Sequence, residues 1–275
     1  MSRFTLRDGT NIWYKLKGKG PLLVLNHGYT SSHQNFTDII SLLKNEFRCL
    51  SWDCRGHGKS DKPIGNTYEQ TAQMYSLPQF VEDCYELLIR LEFIGTPKSE
   101  KLFMYGVSMG GILSQLFAIK YEHTLRALAL GATTSNLNHP FSKERMSGNI
   151  PLTRNGKKLK ARLGFSKKFL EDHPDFLKKK ITQNFFIMDD ELLVMPENVL
   201  KPFDLEKHLQ KLTIPVIIFH GEKDLVMKIE YGKRLSQVIP NSEFYPFPEV
   251  GHNINGEIPR IIAHRLKNFF LKIEH

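Results

Sequence analysis

The sequence has little cysteine and no long apolar run. Its three cysteines, Cys49, Cys54 and Cys84, are an odd number without C-x-x-C spacing, so neither a disulfide framework nor a zinc site is indicated. No apolar run reaches the roughly 18 to 20 residues that cross a bilayer, and internal repeats and low-complexity segments are also lacking. We therefore expect a soluble cytoplasmic protein with reduced thiols, without a membrane span, a metal or a cofactor.

Positive charge is abundant and concentrated. The net charge is +9, and residues 143 to 180 contain twelve Lys and Arg but only four Asp and Glu. Such a run is usually a solvated helix face, and the alternative is a surface that attracts an acidic carrier protein or an anionic substrate. No nucleic-acid motif accompanies the charge, so we expect no nucleic-acid partner.

Short apolar runs alternate with helix-patterned stretches along most of the 275 residues. Residues 3 to 16 form a predicted hairpin, and predicted buried strands then lie at 22–25, 48–52, 101–105, 125–130 and 214–219, with a last strand at 243–247. This alternation predicts one α/β domain with a mostly parallel sheet and helices on both faces. The pattern stops from about Thr134 to Lys211, which predicts an insertion after the sixth strand.

One motif stands out, Gly106-Val107-Ser108-Met109-Gly110-Gly111. It lies between a predicted strand and a predicted helix that covers 112–121. A Gly-x-Ser-x-Gly sequence in this context is typical of a nucleophile elbow, in which a strained turn lifts the serine hydroxyl clear of the backbone. Ser108 is therefore the candidate nucleophile.

A serine nucleophile needs a base, and the base needs an acid that orients it. His252 follows the last predicted strand beside Gly251 and is the candidate base. Asp224, which follows the strand at 214–219, is the candidate acid, and Glu222 is its competitor. In a parallel sheet, residues at strand ends gather at one edge, which favours this grouping.

Hydrolysis of an ester also needs donors for the oxyanion that forms. The backbone N–H of Met109, directly after the serine, is one candidate. The backbone N–H of Tyr29, after His27-Gly28 at the end of a strand, is the other. The ring of His27 is at least as well explained as an anchor for its own loop.

Together these motifs resemble the α/β-hydrolase superfamily. The resemblance rests on the elbow, on His-Gly-Tyr-Thr at 27–30, on Asp-Cys-Arg-Gly-His-Gly-Lys-Ser at 53–60 and on the order of nucleophile, acid and base. It implies an eight-stranded sheet with an antiparallel second strand, and a core domain of residues 1–133 and 212–275 that carries a helical cap at 134–211. It further implies a Ser108, Asp224 and His252 triad with an oxyanion hole at Tyr29 and Met109.

Within the superfamily, the serine argues against the haloalkane dehalogenase and epoxide hydrolase branches, which use aspartate at the elbow. The motifs are similar to those of cofactor-free haloperoxidases, enol-lactonases and acyl-ester esterases. The leading hypothesis is therefore a serine carboxylic-ester hydrolase. The alternatives are an esterase for carrier-linked acyl chains, similar to the pimeloyl-carrier methyl esterases, a carbon–carbon hydrolase or perhydrolase, and a hydrolase-like binding or signalling protein.

The substrate pocket and assembly are less constrained by the sequence. Phe36, Phe141 and Phe185 are candidates for lining an acyl pocket, although aromatic residues at helical spacing more often belong to a core. Neither the acyl length, the leaving alcohol nor the oligomeric state follows from the sequence.

Overall fold

The computed structural model describes residues 2–138, 162–176 and 203–274. Within them eight strands form one sheet in the spatial order β1-β2-β4-β3-β5-β6-β7-β8. Their bounds are β1 Ser2–Thr5, β2 Asn11–Lys17, β3 Leu22–Asn26, β4 Arg48–Trp52, β5 Leu102–Val107, β6 Leu125–Gly131, β7 Val216–Gly221 and β8 Ser242–Phe247. Only β2 runs antiparallel to its neighbours β1 and β4, and every other pair is parallel. The predicted sheet is thereby confirmed.

Helices flank this sheet on both faces. The described helices are α1 Thr37–Leu43, α2 Tyr68–Met74, α3 Leu77–Arg90, α4 Met109–Tyr121, α5 Lys167–Asp172, α6 Glu206–Leu209, α7 Ile229–Val238, α8 Ile254–Glu257 and α9 Pro259–Glu274. A 3₁₀ turn at His33–Phe36 precedes α1.

The core is divided by the sheet into two layers, because successive strand residues point to opposite faces. On β5, Met104 packs with α3, α4 and α7, whereas its neighbours Phe103 and Tyr105 pack with α1 and α9. All six residues of β5 are buried. The strand that leads to the elbow is therefore buried on both faces, as its continuous apolar run predicts. It lies at the centre of the sheet.

Two helices differ from the sequence-based expectation. Helix α4 begins at Met109, three residues earlier than the predicted 112, so it starts directly behind Ser108. Helix α2 lies in a polar stretch between β4 and β5 for which the sequence analysis predicts no helix. The side chain of Thr67 accepts a hydrogen bond from the Gln70 N–H and caps this helix. This Thr-x-x-Gln spacing is a helix start signal.

The predicted insertion falls between β6 and β7. Its described parts are residues 162–176, with α5, and residues from 203 onwards, where Asp204 forms an isolated antiparallel bridge with Asn136. Phe141 and Phe185 lie outside the described residues. The boundaries of the insertion stay a prediction. None of the helices in the described ranges has the length and apolar character needed to span a membrane.

Candidate active site

Ser108 sits in a strained turn between β5 and α4. Its φ of 55° and ψ of −121° are unfavourable for a residue with a side chain. Glycines are required two positions to either side, because an added Cβ at Gly106 would lie 2.1 Å from the Gly110 carbonyl oxygen, and one at Gly110 would lie 2.1 Å from the Asn26 carbonyl oxygen. The structure therefore has the geometry expected of a nucleophile elbow.

Three side chains form a continuous hydrogen-bonded line at the carboxyl ends of the strands. The Oγ of Ser108 lies 3.0 Å from Nε2 of His252, and Nδ1 of His252 lies 2.7 Å from Oδ2 of Asp224. A carboxylate only accepts, so Nδ1 carries the proton that is donated to Asp224. Nε2 is then free to accept the proton of the serine hydroxyl. The structure thus brings together the three residues predicted as nucleophile, base and acid.

The carboxyl group of Asp224 is buried and held by three hydrogen-bond donors and a longer contact with His220. Its Oδ1 accepts the backbone N–H groups of Val226 at 2.8 Å and Met227 at 2.7 Å, while Oδ2 faces His252 and, at 3.4 Å, Nε2 of His220. Burial alone raises the pKa of this carboxyl, but the charges and hydrogen bonds of the two histidines outweigh it and lower the pKa of Asp224 to about 2. Asp224 is therefore ionised at neutral pH and stabilises a protonated His252.

Two backbone N–H groups lie beside the nucleophile. Met109 is the first residue of α4, where helical N–H groups lack an internal acceptor. Gly28 lies against Ser108, since an added Cβ there would be 3.2 Å from the serine Cβ, and its peptide leads directly to the N–H of Tyr29. Among the residues described, neither N–H donates to a protein acceptor. Both are thus available to a ligand.

The structure decides between two pairs of sequence-based alternatives. Glu222 is exposed and Asp224 is buried against His252, so Asp224 occupies the position of the acid. His27 is fully buried, and its Nε2 accepts the backbone N–H of Cys54 at 3.0 Å while Nδ1 donates to its neighbouring carbonyl at 2.8 Å. Both ring nitrogens are used, so His27 braces its loop.

The expectation for Phe36 is wrong. The residue has no exposed surface and packs in the core layer beneath the 3₁₀ turn, with its ring edge-to-face against Tyr105 at a centroid distance of 5.8 Å. Phe36 is the fully buried residue of a 3₁₀ turn whose other residues are half-buried, and helical spacing does not distinguish a core ring from a pocket ring. A fully buried ring does not line an accessible pocket.

Sequence reasoning missed a polar network behind His252. The hydroxyl of Tyr105 donates to Asn255 at 2.6 Å, Asn255 donates to Asn35 at 2.7 Å, and Asn35 donates to Asn253 at 3.3 Å. These bonds attach the loop that carries His252 to the central strand. His220, which approaches Asp224, was also missed, and its place one residue before Gly221 at the end of a buried strand was the available signal.

A buried ion pair supports the neighbouring loop. Nε and Nη2 of Arg55 each donate to a carboxylate oxygen of Asp83 at 2.6 Å, and Asp8 adds a contact with Nη2 at 2.9 Å. This geometry explains why a charged Arg-Gly-His-Gly sequence is tolerated inside the core. Its position supports the interpretation that residues 55–58 brace the fold.

The arrangement suits acyl transfer. An oriented histidine can remove the serine proton as the hydroxyl attacks a carbonyl, and free N–H groups beside the serine can stabilise the resulting oxyanion. Within the described residues no cluster of side chains has the composition of a metal site. The site therefore contains groups for nucleophilic and acid–base chemistry.

The sheet topology and the elbow place this protein in the α/β-hydrolase superfamily. A model of the family named serine aminopeptidase, S33, matches residues 19–259, which is most of the chain. The protein belongs to this family of hydrolases.

Known relatives of the chain differ in the reactions that their names describe. A putative 2-succinyl-6-hydroxy-2,4-cyclohexadiene-1-carboxylate synthase of Bacillus subtilis (strain 168) is 26% identical, over 98% of each chain. The 3-oxoadipate enol-lactonase 2 of Acinetobacter baylyi is 23% identical, over 90% of this chain and 87% of its own. Among solved structures, a thermophilic esterase from Thermogutta terrifontis superposes with a TM-score of 0.82 at 22% identity, over 100% of both chains. The structural likeness at this identity shows the shared fold.

Proposed function

We propose that this protein is a serine hydrolase that cleaves a carboxylic ester through an acyl-enzyme intermediate. The observation that carries the proposal is the line from Ser108 Oγ through His252 to Asp224, with distances of 3.0 Å and 2.7 Å. A serine hydroxyl is a weak nucleophile at neutral pH unless a base removes its proton. The 3.0 Å contact between His252 Nε2 and Ser108 Oγ supports His252 as that base.

In the first half of the reaction, Ser108 Oγ attacks the ester carbonyl while its proton passes to Nε2 of His252. The carbonyl oxygen becomes an oxyanion that the N–H groups of Tyr29 and Met109 stabilise. The protonated His252, held by the ionised Asp224, then donates its proton to the leaving alcohol as the carbon–oxygen bond breaks. The product of this half is an acyl group on Ser108.

In the second half, His252 removes a proton from water, which attacks the acyl carbonyl through the same oxyanion position. Collapse of this intermediate returns the proton to Ser108 and releases the acid. Each oxyanion-hole donor is commonly worth about 3 to 4 kcal/mol of the barrier. All steps use groups that lie at the carboxyl ends of β3, β5, β7 and β8.

The relative named as an enol-lactonase supports an ester as the bond that is cleaved, because a lactone is a cyclic ester. The relative named as a synthase shows that other reactions occur among similar chains, so products must be identified along with rates. A carbon–carbon hydrolase would act on a diketone and a perhydrolase would need peroxide. An ester on an acidic carrier protein is a second substrate class, which rests on the basic run in the sequence.

The test is hydrolysis of p-nitrophenyl esters with acyl chains of two to sixteen carbons, for the wild type and Ser108→Ala. We expect activity in the wild type and a loss of about 10⁴-fold or more in kcat for the variant. Ser236→Ala is the matched control, since that serine is exposed and its hydroxyl only donates to a local carbonyl.

Two outcomes would contradict the proposal. Equal activity in Ser108→Ala would exclude this serine as the nucleophile. A wild type that binds an ester without turning it over would favour the binding-protein alternative, whereas activity confined to carrier-linked esters would identify the second substrate class.

A further inference from the structure

The loop that carries His252 contacts a segment that is distant in sequence. Residues 162–176, here called the inserted segment, lie between β6 and β7 in the chain. Within this segment the Gly164 carbonyl accepts the backbone N–H of Asn253 at 2.6 Å. The residue directly after the candidate base is therefore bonded to the inserted segment.

Glu257 joins the two pieces. Its Oε1 accepts the backbone N–H of Gly251 at 3.0 Å and the backbone N–H of Ser166 at 2.9 Å. Its Oε2 accepts the hydroxyl of Ser166 at 2.7 Å. One carboxylate thus binds the residue immediately before His252 and the inserted segment at the same time.

The Ser166 hydroxyl has a second role that fixes its position. Its oxygen accepts the backbone N–H of Phe169 at 3.1 Å and so caps the start of α5. Next to it Phe165 is only 2% exposed and stacks on Phe169 at a centroid distance of 5.5 Å. The Ser166 hydroxyl that Glu257 binds is therefore fixed by packing and by its role as a helix cap. Its hydrogen bond can thus hold the Glu257 carboxylate in place.

The surroundings of Glu257 favour a positioning role. Burial raises the pKa of its carboxyl and the nearby charge of Asp224 adds to this, which outweighs the three hydrogen bonds that lower it. No lysine or arginine of the described residues forms an ion pair with this carboxylate. Its interactions are directed to two backbone N–H groups and one hydroxyl.

The other side of the same loop is attached to the core. The chain from Tyr105 through Asn255 and Asn35 reaches Asn253 from the central strand. The loop is consequently held between a fixed network and the inserted segment. Loss of the second attachment would leave only one side of the loop constrained.

We propose that Glu257 is a positioning residue that couples the inserted segment to His252, so that the histidine is aligned with Ser108 when the segment is docked. The catalytic part of this inference rests on the proposed ester hydrolysis, whereas the docking itself does not. Glu257 acts through Gly251 and touches no reacting atom in this account.

The test combines amide hydrogen exchange with kinetics on the full-length protein. We expect Glu257→Gln and Ser166→Ala each to speed exchange about tenfold in peptides that cover 162–176 and 249–253, since each change weakens a charge-assisted hydrogen bond. The same variants should lower kcat about tenfold and change KM less than about threefold, because alignment of the base is altered.

Two further variants separate coupling from helix capping. Ser76→Ala removes an equivalent cap from α3, where the serine accepts the Gln79 N–H at 3.3 Å and has no carboxylate partner. It should leave exchange at 249–253 and kcat at wild-type values. Ser166→Thr keeps the hydroxyl and should restore both. The double variant of Glu257 and Ser166 should be no worse than Glu257→Gln in exchange at 249–253 and in kcat, because the Ser166 hydroxyl reaches Gly251 only through the Glu257 carboxylate.

The inference is overturned if the inserted segment exchanges faster in both variants while peptides at 249–253 and kcat stay at wild-type values. It is also overturned if the effects of the two single variants simply add in the double variant. A wild type that is inactive on every ester would reject the proposed function, and the exchange data would still decide whether the segment and the loop are coupled.

Discussion

Among the described residues, two histidines contact a buried aspartate through Nδ1 at less than 3 Å, and the two pairs are closely similar. Nδ1 of His252 is 2.7 Å from Asp224, and Nδ1 of His33 is 2.9 Å from Asp53. Both carboxylates have no exposed surface, and the two imidazole side chains are 15% and 13% exposed. By distance and burial, either pair qualifies as the base and acid of a hydrolase.

The difference lies in what the second ring nitrogen faces. Nε2 of His252 faces the hydroxyl of Ser108, whereas the ring of His33 lies against Trp13 with centroids 3.7 Å apart. Asp53 also accepts the backbone N–H groups of His33 at 2.6 Å and Lys59 at 2.9 Å. The second pair therefore fastens two loops together. A buried histidine–aspartate pair becomes a candidate catalytic site only where a nucleophile completes it.

Exchange of each histidine for alanine gives the largest expected contrast. His252→Ala should lower kcat by about 10⁴-fold or more, because the serine loses its base, and should lower the free energy of unfolding by about 1 to 3 kcal/mol, because the buried Asp224 loses a hydrogen bond. His33→Ala should keep kcat within about tenfold but lower the free energy of unfolding by about 1 to 3 kcal/mol, because the buried Asp53 loses a hydrogen bond. Ester hydrolysis and urea denaturation measure the two effects.

Thr37→Ala serves as a control for nonspecific loosening of the same loop region, because its hydroxyl donates only to the Gln34 carbonyl and bonds to neither pair. The comparison fails if His33→Ala loses as much activity per folded molecule as His252→Ala.

The elbow could be predicted from the sequence because its requirements are local. Gly106, Ser108 and Gly110 are close along the chain, and the contact that excludes a Cβ at Gly106 is with Gly110 in the same turn, although the one at Gly110 is with Asn26 of β3. His252 and Asp224 were predictable from their order and from their places after strands. These inferences needed only the rule that parallel strands end at one edge.

The remaining parts of the site depend on contacts between distant segments. The pairing of His33 with Asp53, the approach of His220 to Asp224 and the bonds of Glu257 to Ser166 carry no local pattern. Phe36 was wrongly predicted for a related reason. The sequence placed this aromatic residue in a pocket, whereas its neighbours in space make it part of the core. Side-chain pairing of this kind requires the three-dimensional arrangement.

A methyl group added near each pair should give a smaller contrast of the same kind. Near Asp53 it should lower mainly the stability, and near Ser108 it should lower mainly kcat. An added Cβ at Gly58 would lie 2.2 Å from Asp53 Oδ2, and its φ of +52° is itself unfavourable for alanine. Gly58→Ala should therefore lower the free energy of unfolding by about 2 to 4 kcal/mol. Gly28→Ala places its methyl 3.2 Å from the Ser108 Cβ and should shift the serine slightly. We expect roughly tenfold lower kcat and a stability change below about 1 kcal/mol.

Thermal denaturation and ester kinetics on both glycine variants check this contrast. The reverse pattern, with Gly28→Ala unstable and Gly58→Ala stable but inactive, would show that the assignment of the two pairs is wrong. Gly9→Ala is the control for positive φ alone, because its φ is +88° and an added Cβ meets no atom within 4 Å.

The smallest expected effect is the dependence of stability on acid pH. The pKa of Asp224 is about 2, below its ordinary value of 3.8, so its ionised form stabilises the folded state above about pH 4 and this contribution is lost as the pH falls toward 2. Asp224→Asn should accordingly be about 2 kcal/mol less stable than the wild type at pH 7, and the difference should shrink between pH 4 and pH 2. Urea denaturation across this range measures it. If the difference in free energy of unfolding between the wild type and Asp224→Asn stays constant with pH, the loss of stability comes from packing. The charge of Asp224 would then align His252 without stabilising the fold.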